Sequence, residues 1–132
     1  MPSPVYVHDY DFDHDTAFLV SEANGYQSRE VGVITGGELL QPGTVLGRVT
    51  TSGALRRINP AATDGSQNAV AVLLNRADAR QGDVRQTVIA RAAEVNGLLM
   101  RVGTQWPAGI TVGQRNAAIA QLGDGPRILV RT

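Results

Sequence analysis

Between His8 and Glu22 the chain gathers the side chains best suited to chemistry, two histidines and five acids. Asp11, Asp13, Asp15 and Glu22 stand at the first, third, fifth and twelfth places of a loop, the spacing at which an EF-hand presents oxygens to calcium. The sixth place breaks the match. Thr16 stands where the sharp turn requires glycine, and the proline-bearing flank upstream offers no entering helix. His8 and His14, interleaved with aspartates, could hold zinc only if the segment around them were ordered first. The reading is a solvated acidic arm, with no metal and no cofactor.

Nucleophilic catalysis is poorly supplied. There is no cysteine, no GxSxG, and both histidines lie in the acidic segment. A glycosidase-like pair needs two carboxyls held across a cleft, whereas Asp64, Asp78 and Asp83 each fall in turn or loop signals where solvation is the ordinary state. Gly36-Gly37 has no Lys-Ser/Thr after it and no helix start, so it is a turn and not a phosphate cradle. Arg56-Arg57 reads as a solvated hairpin pair. The expectation is a protein that is not an enzyme.

The elements that would position these residues are short strands. Phe18-Leu19-Val20 is the first apolar anchor, ended by Asn24-Gly25, and residues 27 to 35 alternate as a strand closed by Gly36-Gly37. Pro42-Gly43 leads into a hairpin whose arms are 44 to 50 and 54 to 58, turned at Ser52-Gly53. Asp64-Gly65 reverses a polar loop, and residues 69 to 74 (AVAVLL) form a strand covered on both faces or, less well, a turn of buried helix. Further strands are expected at 87 to 92, 98 to 102 and 127 to 132. One helix is signed at both ends: Thr111 and Gln114 form a capping-box pattern, Val112, Ile119 and Leu122 share a face, and Gly123 stands at C′. The fold class is mainly β with one late α-helix (α+β), a compact domain of seven or eight short strands with a flexible N-terminal arm.

Charge divides the chain unevenly although its formal net charge is zero. Residues 1 to 24 hold five acids and no arginine; the remainder holds all twelve arginines against seven acids, and there is no lysine. A basic surplus spread over a whole body does not make a nucleic-acid stripe, so no direct nucleic-acid contact is expected. No apolar run approaches the roughly 20 residues that span a bilayer, and no secretory h-region is present, so neither a membrane partner nor a removable targeting segment is expected. In the arm, His8, Tyr10, Phe12 and His14 alternate with four aspartates. Such a segment suits pairing with another sheet edge. Trp106, before Pro107 in a turn-like stretch, is either an aromatic at the edge of the core or an anchor between subunits.

Three blocks in order, LQPGTVLGRVT (40–50), NPAATDGSQNAVAVLL (59–74) and AAEVNG (92–97), resemble the head decoration proteins of lambda-like tailed phages, a likeness running from about Phe18 to the C-terminus. The resemblance implies a homotrimer seated at three-fold and quasi-three-fold positions on the outer surface of the expanded head. It would cement neighbouring subunits of the major capsid protein against the pressure of packaged DNA, after synthesis in the host cytoplasm. It further implies a capsid-binding arm at 1–29, mobile when free, in which Phe18, Leu19, Val20, Tyr26 and Arg29 make the contacts, and a β-rich decoration domain at 30–132. Trp106 and Pro107 would then lie at the trimer interface. The acidic extension 1–17 departs from the family pattern. A carbohydrate- or calcium-dependent binding module is the alternative, because short-stranded β domains with acidic loops serve that purpose too.

Overall fold

The computed structural model describes residues 18–25, 27–97 and 104–131. In chain order the elements are β1 (Leu19–Glu22), β2 (Arg29–Ile34), β3 (Leu39–Leu40), β4 (Val45–Arg48), β5 (Leu55–Arg57), β6 (Ala69–Leu73), β7 (Ala77–Asp78), β8 (Val84–Ile89), β9 (Ala93–Asn96), α1 (Val112–Asp124) and β10 (Ile128–Arg131). Mainly β with a single late helix is thus the class observed among the described residues. Five strands close into a barrel in the order β2-β5-β4-β6-β8, a three-stranded sheet runs β1-β9-β10, and β3 pairs with β7.

Strand alternation explains why there are two cores. Leu46, Ala71, Leu73, Val88, Ile34 and Leu55 point into the barrel and fill it. Their neighbours Val45, Val72 and Ile89 point the other way, and instead of meeting water they meet Phe18, Val95, Ala118, Leu122 and Ile128 from the second sheet and the helix. The buried run at 69 to 73 is a strand and not a helical turn because both its faces are covered, one by each core.

The β4–β5 hairpin forms as expected, with Leu46↔Arg57, Gly47↔Arg56 and Arg48↔Leu55 in register. Loop 59–68 folds back over it. Ser66 O lies 2.3 Å from where a Cβ on Gly47 would stand, so only glycine permits this approach. The loop is fastened by Asn59 N donating to Ser66 O and Thr50 N to Asp64 O, with Gly65 at φ +105 making the reversal.

Several expectations are corrected. The strand expected at 87–92 is β8, which ends at Ile89; Ala92 takes φ 50 and turns the chain into β9, which the alternation did not reveal. The strand expected at 98–102 lies outside the described residues. The helix runs past Gly123 to Asp124 and is capped by Gly125, whose N–H donates to Gln121 O. Its buried pair is Ala118 and Leu122, while Val112 in the first turn is 67 % exposed, since the helix packs on β6 and β10 through its middle. Ten strands are found among the described residues, because the two-residue β3 and β7 are too short to show a period.

The first described residues are packed into the body. Phe18 is fully buried and β1 pairs antiparallel with β9 (Leu19↔Val95, Glu22↔Ala93), so residues 18–25 belong to the folded body. Covering Phe18 stabilises the body by about 3 kcal/mol. Residues 1–17 lie outside the described residues.

Candidate functional site

Of the residues assigned to an arm, Phe18, Leu19, Val20 and Arg29 lie on or beside β1 and at the head of β2. Arg29, at the head of β2, reaches back to the end of β1: its Nη2 donates to Glu22 Oε1 at 2.6 Å and its Nε to Glu22 Oε2 at 3.0 Å. That two-pronged bond, chiefly, holds the Glu22 carboxyl below its usual range. Glu22, the twelfth-place acid of the calcium spacing, thus lies at the end of a strand with both oxygens bonded to Arg29. Ser28 Oγ accepts from Ala23 N and donates to Ala92 O, which draws the β1–β2 connection onto the β8–β9 turn.

β1 is an edge strand. Only β9 pairs with it among the described residues, and its register slips between Leu19 and Ser21, so Val20 bulges outward and is 55 % exposed. On the outer face, Glu94 ties all three strands together: Ser21 Oγ donates to its Oε2 at 2.7 Å and Arg131 Nη1 to its Oε1 at 3.0 Å. Leu129 on β10 adds a second exposed aliphatic to this face. Phe18 is the buried anchor, Leu19 is half-buried, Val20 is presented, Arg29 is the brace, and Tyr26 lies outside the described residues.

Trp106 and Pro107 stand elsewhere, where the chain passes the mouth of the hairpin. Gln105 bridges Thr44 in parallel, with its N–H donating to Gly43 O and its carbonyl accepting from Val45 N. The indole packs on the inter-layer core, and its Nε1 donates to Thr104 Oγ1 at 3.0 Å. Trp106 is therefore a half-buried residue at the core edge with one rim left to solvent.

Two further carboxylates, Asp64 and Asp78, are held in structural bonds. Asp64 accepts at Oδ1 from Ser66 Oγ and N, which lowers its pKa and stiffens the loop. Asp78 is gripped by Arg80 through both oxygens at 2.9 Å, which lowers it to about 2. An acid kept this far from neutrality is a poor proton donor. Arg57 faces Glu38 at 3.6 Å and Arg56 lies beneath Gly36, so the pair is half-buried and not simply solvated. Among the described residues no three His, Asp or Glu converge as a metal site, and no helix is long and apolar enough to cross a membrane. Two shallow clefts are found among the described residues, one of about 240 Å³ between Pro60 and Gln121 and another of about 300 Å³ between Arg29 and Thr87.

What the surface offers is edges and exposed aliphatics. Comparison with known proteins identifies the context. The family model of the bacteriophage lambda head decoration protein D matches residues 12–126. The chain belongs to that family. No curated protein matches it. Membership makes this a phage head decoration protein, a structural component of the virion capsid that associates with the phage capsid. The match begins at Phe12, inside the acidic segment, so the first eleven residues fall outside it. Sequence reasoning missed the exposed Val31, Val33 and Leu129, since an aliphatic in a strand reads as core whichever face it occupies.

Proposed function

We propose that the protein binds the outer surface of the expanded head as a homotrimer at three-fold and quasi-three-fold positions. There it cements adjacent major capsid protein subunits against the pressure of packaged DNA. Family membership across residues 12–126 carries this reading. The structure supports it with a rigid two-core body, an edge strand braced by Arg29 and an outward Val20, none of which needs to reorganise on contact. Leu19 and Val20 are the body's share of the capsid contact, with Phe18 and Arg29 holding them in place, and Tyr26 is assigned to the same contact. Trp106 and Pro107 lie at the trimer interface through the exposed rim of the indole.

Three copies make modest contacts sufficient. Once one subunit of a trimer has docked, the other two bind at high effective concentration. The test is to mix the purified protein with undecorated expanded heads and image where it settles. Density at the three-fold and quasi-three-fold positions is expected, and Val20→Asp should lower its occupancy severalfold while leaving the melting temperature unchanged. Unaltered occupancy would remove β1 from the contact. Sedimentation is expected to show a trimer that Trp106→Ala weakens. A monomer at micromolar concentration contradicts the reading.

A further inference from the structure

The barrel is closed unevenly. β2 pairs with β8 over its whole length, from Arg29↔Ile89 to Ile34↔Val84, but with β5 through the one pair Ile34↔Leu55. Alternation shows which groups are left at the seam. Ala90 N donates to Ser28 O and Leu74 N to Thr87 O, so even-numbered residues of β2 face β8 and odd-numbered ones face away from it. Thr35 N donates to Leu55 O at the closed end. Upstream of that, the N–H and C=O of Val31 and the N–H of Val33 face a gap that no strand occupies among the described residues.

Side chains mark the same place. Val31 is 61 % exposed and Val33 37 %, and the cleft of about 300 Å³ lined by Arg29, Glu30, Val31 and Thr87 opens beside them. From Val31 to Ile34 the strand has no charge, no proline and no bulge, the features that ordinarily blunt an edge. The borders of the seam are basic. Arg85 is the register partner of Val33, Arg56 lies on β5, and Arg48 donates from Nη1 to Gly53 O; none of the three has an ion pair among the described residues.

One segment of this chain has the complementary pattern. His8 to Asp15 alternates His8, Tyr10, Phe12 and His14 with four aspartates. Its aromatic set extends the Val31–Val33 stripe, its aspartates fall on the opposite face, where Arg48 stands as the register partner of Leu55, and its backbone completes the ladder. The chain's own seam is poorly placed to receive it. Glu22 touches Arg29, so β1 carries the chain away from β2, and Leu19 lies about 10 Å farther on at three residues of extended rise. Only Thr16 and Ala17 separate the segment from the buried Phe18. We propose that the open edge of β2 accepts residues His8–Asp15 of a neighbouring copy as an added strand, so that adjacent decoration proteins are joined to one another as well as to the shell.

The experiment uses the full-length chain without heads, so its result is independent of capsid binding. Hydrogen exchange is followed at the Val31 and Val33 amides in the native protein and in the variant with Asp9, Asp11, Asp13 and Asp15 all changed to Asn. About tenfold slower exchange in the native chain is expected at these two amides, with the β6 amides unchanged; equal rates overturn the proposal. Because the chain has no cysteine, a second measurement is available. Chains carrying Phe12→Cys are mixed with mass-labelled chains carrying Val31→Cys and treated with a short bismaleimide. Mixed cross-linked dimers above the statistical share are expected. A statistical mixture, or an intrachain link predominating in the double variant, overturns the assignment to a neighbour.

Discussion

Gly47 shows how much one missing Cβ can decide. With Ser66 O lying 2.3 Å from the position a methyl group would take, Gly47→Ala must lift loop 59–68 off the hairpin. We expect a loss of about 1–3 kcal/mol in urea unfolding, the range typical of overpacking a closed site. Phe18→Ala should cost about 3–5 kcal/mol, the cost of emptying a core position, whereas a side chain serving only as a capsid contact would leave stability unchanged. Asp78 offers a titration. Its folded pKa of about 2 lies below the ordinary 3.8, because Arg80 bonds the anion. The stabilisation is therefore complete above the ordinary value and is lost as pH falls through about 2. The NMR-detected midpoint of Asp78 should lie near 2 and rise toward 3.8 in Arg80→Ala; an unchanged midpoint in the variant would show that Arg80 is not the cause. Both side chains are about half exposed, so salt should weaken the effect.

Among the elements, the helix was the most legible in the sequence. Thr111 Oγ1 accepts from Gln114 N while Gln114 Oε1 accepts from Thr111 N, both at 3.0 Å, and we expect Thr111→Ala to cost about 1 kcal/mol in thermal unfolding. The β4–β5 hairpin and β6 were equally readable, because turn residues and a doubly apolar run are local signals. β9 was not. Its four residues alternate too briefly to stand out, and they become a strand because β1 and β10 flank them, one from far earlier in the chain and one from beyond the helix. The same non-local cause hid the site. Phe18 reads as the anchor of a tail until its partners are known, and they lie on β9, α1 and β10. Val31 and Val33 look like core until the short β2–β5 pairing shows that the barrel stops covering them.

At the scale of the molecule, we propose that arm and body divide at Phe18 rather than at residue 29. Deleting residues 1–17 should therefore leave a cooperatively folding protein, whereas deleting 1–29 should abolish cooperative unfolding, since it removes Phe18, β1 and the first residue of β2. Circular dichroism on the two truncations distinguishes the outcomes, and equal stability would move the boundary to residue 29. The parallel partnership of β10 with β9 has a consequence for biosynthesis. Ile128 and its neighbours leave the ribosome after every other strand, yet they seal the layer that also shelters Phe18, which emerged before all of them. The nascent chain must wait for β10 before that layer can close. A product cut short just ahead of Ile128 should fail quality control although every barrel strand is present.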